Sequence, residues 1–332
     1  MIFRVGRIEN FVFFGGKTMD RISEDEKYMR RCLQLAACGR NNARPNPMVG
    51  AVIVHGGRII GEGYHVRCGE GHAEVNAFAS VKAVDEPLLC EATIYVSLEP
   101  CAHYGKTPPC AGLIIKKGVC RVVVGCVDPF ACVQGRGIDM IRNAGIEVTV
   151  GVLERECREL NKRFFTYHSL HRPYIILKWA QTSDGFIDDD FRPVMISNGF
   201  TRMLSHKLRA ENDAILVGRV TAERDNPRLN VRYWVGTDPR KIVLGHDTDL
   251  KTLVDRLYSE GVQSLIVEGG AKTHSSFITA GLWDEIRVET APFAVGHGTH
   301  APQLPDNITV TSHEEYDGNM VTIYKKIFSA GK

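Results

Sequence analysis

Two α/β units in series are the architecture that this sequence predicts, and three observations carry the prediction. Its 332 residues exceed the roughly 100–200 of a single domain. Helical and strand patterns alternate along the chain, with one interruption at His171-Arg172-Pro173. All ten cysteines lie at or before residue 157, so the two stretches differ in chemistry as well as in position.

Residues 1–18 read as a tail. Arg4 and Arg7 precede the apolar run Phe11–Phe14 as in a signal peptide, but the run is too short and Glu9 and Asn10 interrupt its approach. A cytoplasmic protein with reduced thiols is therefore expected. Ser23 and Glu26 form a capping-box pattern, and the spacing after them predicts a helix over 24–39. Strands follow at 49–55 (VGAVIVH) and 58–62, then a helix opening at His72. A strand at 93–97, a helix near 109–117, a strand at 120–125, a helix at 136–144 and a strand at 146–149 complete the first unit. That unit spans 19–168, and its last part, 153–168, reads as one helix leading out.

The second unit, 172–332, opens with the apolar strand YIILKWA (174–180) and the Asp184-Gly185 turn signal. A helix over 198–210, strands at 213–218 and 241–244, a helix at 249–260 and the strand SLIV (264–267) follow. A helix near 273–281 and strands near 284–290 and 319–328 close the chain.

Composition narrows the function. A net charge of +2 with both signs interspersed gives none of the long-range positive field that binding a nucleic acid backbone exploits. No stretch approaches the ~18 consecutive apolar residues of a membrane helix. A small-molecule substrate is expected, with no nucleic acid and no membrane.

Chemistry concentrates in two motifs, GHAEVNAF (71–78) and SLEPCAHYGKTPPC (97–110). A catalytic zinc takes three protein ligands from Cys, His or carboxylate and keeps a fourth position for water. His72, Cys101 and Cys110 supply that number, two of them near helix starts that favour thiolates. Glu74, two residues from the histidine, is the carboxylate that can take a proton from an activated water and hand it to a ring nitrogen and a departing amine. Isolated, each pair is a chance pattern. Together they follow the H-x-E…P-C…C order of zinc deaminases, with a longer interval between the cysteines.

With PNPMVGAVIV (45–54), GEGYH (61–65) and VVVGCVDP (122–129), these motifs closely resemble the deaminase half of the bacterial bifunctional riboflavin-biosynthesis deaminase/reductases. That resemblance implies a cytidine-deaminase-like three-layer α/β/α domain holding Zn2+ on His72, Cys101 and Cys110, with Glu74 as proton shuttle. It places Asn46 on the pyrimidine pocket and His103, Lys106 and Thr107 on a loop that meets the ribose phosphate of the substrate.

Further along, KWAQTSDGFID (178–188), LRAENDAILVGRVTAERDNPRLNVR (208–232) and VEGG (267–270) resemble the reductase half. They imply a dihydrofolate-reductase-like α/β domain that uses NADPH. By position, Ala180, Thr221, Asp225 and the segment Gly270, Ala271, Lys272, Thr273, His274, Ser275 and Ser276 contact the cofactor, whose phosphates suit a strand–turn–helix start. Arg209, Leu229, Arg232 and Glu268 hold the phosphoribosyl substrate, with Asp225 the nearest candidate acid. The interval after NPRLNVR is short and Met195 stands where an aromatic residue is common, so a reductase domain lacking a strand and a loop is expected. A homo-oligomer, dimer or tetramer, is expected too. Three other readings stay open: a deaminase with a weak or inactive C-terminal domain, a nucleic-acid deaminase, and a binding protein with a structural zinc.

Overall fold

The computed structural model describes residues 23–102, 108–130 and 134–327. The first unit is a five-stranded sheet between two layers of helices. Its chain runs α1 (Glu24–Cys38), β1 (Gly50–His55), β2 (Arg58–Tyr64), α2 (Ala73–Ala79), β3 (Thr93–Val96), α3 (Cys110–Lys117), β4 (Arg121–Val124), α4 (Arg136–Asn143) and β5 (Glu147–Val150). The order across the sheet is β2-β1-β3-β4-β5. β1 is antiparallel to both neighbours, while β3, β4 and β5 are parallel.

The three central strands, β1, β3 and β4, are largely apolar because both faces are buried. Ala51, Ile53, Ile94, Val96, Val122 and Val124 face α2, α3 and α4, where Ala77, Phe78, Ile114 and Ile141 meet them. The alternate residues Val52, Val54, Tyr95 and Val123 face α1 through Met29, Cys32 and Leu35. Each such aliphatic side chain contributes roughly 1.5–3 kcal/mol relative to exposure. Ser23 caps α1 as its sequence predicts, its hydroxyl accepting the Glu26 N–H at 3.2 Å.

The stretch expected as one helix over 153–168 is two, α5 (Glu154–Leu160) and α6 (Lys162–Leu170). The break falls at Asn161, whose side chain accepts the Met48 N–H and donates to the Met48 carbonyl, both at 2.8 Å. That pair of tertiary bonds outweighs helix continuity.

The second unit comprises β6 (Tyr174–Gln181), α7 (Gly199–Ala210), β7 (Ala214–Gly218), α8 (Arg219–Asp225), β8 (Arg240–Leu244), α9 (Leu250–Ser259), β9 (Ser264–Val267), α10 (Ala271–Thr279), β10 (Glu285–Thr290), β11 (Ile308–Tyr316) and β12 (Asn319–Lys326). Its seven-stranded sheet has the order β11-β12-β10-β6-β9-β7-β8. The five strands from β10 to β8 are parallel, and the β11–β12 hairpin adds antiparallel to β10. Ile175, Leu177, Trp179, Leu216 and Leu265 pack against α9 and α10 on one face. Ile176, Ile215, Val217 and Ile266 pack with Leu208 of α7 on the other.

β11 and α8 are elements that sequence reading passed over. β11 turns most of its residues to solvent, so no apolar period marks it. Among the described residues no helix is long and apolar enough to cross a membrane.

Candidate active sites

The first cavity, of about 510 Å³, opens where β3 and β4 end, and His72, Glu74, Leu98, Cys101, Asp128 and Asn46 are among its lining. His72 is the N-cap residue of α2 and Glu74 lies in its first turn. Cys101 follows β3, and Cys110 starts α3. The Nδ1 of His72 stands 3.3 Å from Cys110 Sγ and 3.6 Å from Cys101 Sγ, and the three donor atoms lie within 4.8 Å of one another. Bonds of about 2.0 Å to nitrogen and 2.3 Å to sulfur at a tetrahedral angle place those atoms about 3.6 Å apart, so the donor set fits zinc.

The two thiols share one hydrogen bond: the Cys110 thiol, and then His72 and the Cys110 backbone N–H, hold Cys101 below the usual thiol range, while the same bond to Cys101 pushes Cys110 up. One thiolate is thus already favoured, and Cys110 gives up its proton when a metal binds. Burial pushes the Glu74 carboxyl up to about 7. Glu99, the acidic residue of the SLEPC motif, is bound elsewhere: it accepts the N–H groups of Asp128, Gly135 and Gly137 at 3.2, 2.9 and 2.9 Å. α4 can dock this closely only because residue 137 is glycine, since a Cβ there would lie 1.9 Å from the Pro100 carbonyl oxygen. Glu74 thus remains the carboxylate beside the donors.

Asn46 reaches the same cavity, its amide donating to His65 Nε2 at 3.1 Å. His65 Nδ1 faces the Gly71 carbonyl at 3.1 Å, which assigns the ring proton to that nitrogen. His103, Lys106 and Thr107 lie outside the described residues.

The second cavity, of about 180 Å³, lies beyond the C-terminal ends of β6, β7 and β9, the usual ligand side of an open α/β sheet. Ala180, Thr221, Asp225, Glu268, Gly270 and His274 line it together, joined by Lys178, Asp188 and Arg224. Six of the positions expected at the reductase site are thereby gathered from four separate segments. Gly270 adopts φ 55 before α10, and a Cβ on Gly269 would lie 2.7 Å from Val217 Cα. The turn therefore sits flush against β7 and offers backbone donors, a cradle suited to a dinucleotide phosphate.

The remaining positions are not in the lining. Thr273 and His274 are the buried side of α10, and Lys272, Ser275 and Ser276 its exposed side. The His274 ring, although at the cavity, has Nε2 3.1 Å from the Val267 carbonyl and 3.2 Å from that of Lys178. Arg209 acts on Glu268 itself, with Nε to Oε1 at 2.9 Å and Nη2 to Oε2 at 2.6 Å. Burial opposes ionisation of Glu268, yet the Arg209 bonds and charge outweigh it and hold the carboxyl below the usual range. Leu229 is buried in the core beside α7, and Arg232 is exposed, with Nη1 donating to Asn230 Oδ1 at 2.8 Å. Asp225 is also exposed and paired with Arg224 at 2.9 Å.

Lys178 was missed by sequence reading although a signal existed, a single charge inside the apolar run YIILKWA. Its ammonium lies 3.9 Å from Glu289 and its side chain lines the cavity that holds Glu268.

Residues 22–126 match the family described as "Cytidine and deoxycytidylate deaminase zinc-binding region". Residues 173–250 and 247–322 match the RibD C-terminal domain in two segments that overlap at 247–250. The riboflavin biosynthesis protein RibD of Aquifex aeolicus is 40% identical over 322 residues, covering 82% of this chain and 88% of that protein. That of Bacillus amyloliquefaciens is 36% identical over 329 residues, covering 84% and 87%. The crystal structure of a diaminohydroxyphosphoribosylaminopyrimidine deaminase/5-amino-6-(5-phosphoribosylamino)uracil reductase from Thermotoga maritima superposes with a TM-score of 0.84 at 32% identity, covering 92% of this chain and 99% of that one. The chain belongs to the RibD family of riboflavin-biosynthesis enzymes, a zinc-dependent deaminase domain followed by an NADPH-dependent reductase domain.

Proposed function

We propose that the first cavity deaminates 2,5-diamino-6-(5-phosphoribosylamino)pyrimidin-4-one hydrolytically and that the second then reduces the ribosyl group of the product to ribityl. The observation that carries this reading is the convergence of His72, Cys101 and Cys110 around one point with the buried Glu74 beside them. A zinc ion held by those three supplies Lewis acidity toward a water molecule. The chain's own part is proton handling: the Glu74 carboxylate takes one proton from the attacking water and delivers it to the ring nitrogen, then carries the proton of the added hydroxyl to the leaving amine. Asn46 orients the pyrimidine by hydrogen bonding, and His103, Lys106 and Thr107 receive the phosphate.

In the second cavity NADPH supplies the hydride, and the protein orients it against C1 of the opened ribose. Gly270 and the start of α10 take the cofactor phosphates, while Ala180, Thr221 and Asp225 border it. Lys178 stands where an ammonium can donate a proton to the C1-bound nitrogen, which takes up the electron pair when hydride adds to the opened C1=N bond, and it replaces Asp225 in that role because Asp225 is exposed and already paired. Arg209 holds Glu268 in the ionised state for the substrate, and the exposed Arg232 is the proposed partner of its phosphate.

A division at His171–Pro173, a homo-oligomeric state and residence in the cytoplasm belong to the same reading; the last is supported by nine free cysteines among the described residues. A second reading, deamination alone, draws on the direct passage from the edge strand β8 into α9. Ammonia release from the diaminopyrimidine and NADPH oxidation with the deaminated substrate are both expected of purified protein. Ammonia release without NADPH oxidation selects the second reading, and an absence of both sinks the proposal.

A further inference from the structure

The deaminase domain does not close its own pocket. Gly261 and Gln263, which lie just ahead of β9 in the second unit, line the first cavity beside Pro45 and Asn46. Gln263 is buried, and its side-chain amide donates to the Pro45 carbonyl at 2.8 Å across 218 residues of sequence. The flanking residues are tied in the same way. Arg44 donates to Asp213 Oδ1 at 3.0 Å and to the Ala210 carbonyl at 2.9 Å, both in the second unit. Met48, beyond Asn46, is clamped by Asn161 between α5 and α6.

Gln263 is itself fixed. Asp213 Oδ2 accepts the backbone N–H of Gln263, the N–H of Ser264 and the Ser264 hydroxyl, each at 3.0 Å. From the held segment a relay of hydrogen bonds runs inward. Asn46 donates to His65 Nε2, and His65 Nδ1 donates to the carbonyl of Gly71, the residue before the metal donor His72. The rings of His65 and His72 meet edge-on with centroids 5.4 Å apart.

We propose that Gln263 of the reductase domain is a positioning residue for deamination: by holding the Pro45 carbonyl it sets the placement of Asn46, and with it the face that receives the pyrimidine. The inference rests on the deaminase reading of this cavity and on Asn46 meeting the substrate. Physically, a part-buried carbonyl that loses its donor must turn toward water, and the residue that follows it turns with it. Deamination is therefore coupled to the fold of the second domain through the Gln263 amide, alongside the Arg44 bonds to Asp213 and Ala210.

The test uses the full chain with Gln263→Leu, assayed for ammonia release across substrate concentration. The Michaelis constant of deamination is expected to rise about five- to ten-fold, the effect of one lost hydrogen bond, with kcat within about two-fold. Zinc content and NADPH oxidation on the deaminated substrate stay at wild-type values. In an Asn46→Ala background the same substitution is expected to add nothing further, because its effect passes through Asn46. Gln263→Glu keeps the length but sets an acceptor against the carbonyl, so it provides the same readout if the leucine variant folds poorly. An unchanged Michaelis constant in both variants, additive losses in the double variant, or a parallel fall of both activities overturns the proposal. Wild-type protein that releases no ammonia overturns the deaminase reading instead.

Discussion

The two cavities are assembled by different means. In the first, each proposed metal donor and the proposed proton shuttle is a side chain whose chemistry admits few substitutes, and three of the four sit at or near a helix start, on α2 and α3. In the second, the elements that suit the cofactor are largely backbone: the Gly269-Gly270 turn, the end of β7 and the start of α10. A metal centre makes a demand on residue type, whereas a dinucleotide cradle makes a demand on backbone placement. The first kind of site is exposed to loss by one substitution. The second spreads its dependence over packing and over one buried ion pair, Arg209–Glu268.

That contrast can be broken or sharpened by experiment. Cys110→Ser is expected to remove zinc and reduce ammonia release to background while NADPH oxidation with deaminated substrate persists, as metal analysis and the two assays will show. Loss of both activities would mean that the halves are not independent. Glu74→Gln is expected to retain zinc and the melting temperature but to slow ammonia release by roughly 10²–10⁴.

Arg209→Met addresses the other half. It leaves Glu268 buried without its counter-charge, and a cost of about 3–5 kcal/mol is expected in urea unfolding, with NADPH oxidation falling much more than ammonia release. The pair Glu285 and Lys162, at 2.7 Å, joins α6 to the second sheet. Burial opposes the ionised Glu285, but the charges of Arg287 and Lys162 outweigh it and hold the carboxyl below its usual value. A depressed carboxylate stabilises the fold fully above the unfolded value of about 4.3 and loses that contribution as pH falls through its folded value. Glu285→Gln should accordingly cost about 2 kcal/mol near neutrality, and the gap to wild type should shrink as urea midpoints are measured below about pH 4. The smallest effect is expected of Gly318→Ala, about 1 kcal/mol in the same unfolding measurement, because Gly318 has φ 85 in the turn of the β11–β12 hairpin.

Legibility followed the same divide. The central strands of the first sheet were readable because both faces are buried, leaving unbroken runs such as VGAVIV and RVVV. β11 was not, since most of ITVTSHEEY is exposed and the strand exists by pairing with β12. A local signal was nonetheless present in Asp317-Gly318, a two-residue hairpin turn in which both residues take positive φ. The break at Asn161 had no such signal, because its cause is a pair of bonds to Met48, 113 positions away. Of the reductase positions, those at strand ends converged on one cavity, while those on α10 divided between buried and exposed sides by helical period.

By itself the sequence singled out His72, Cys101 and Cys110 as a candidate donor set with Glu74 beside them, and the alternation of two α/β units, since these rest on residue chemistry and on periods of two to four residues. Only the tertiary structure decided that Lys178 shares a cavity with Glu268 and that Gln263 reaches across to Pro45. Such pairings are selected by how two finished surfaces meet, and the chain carries no local pattern that encodes them.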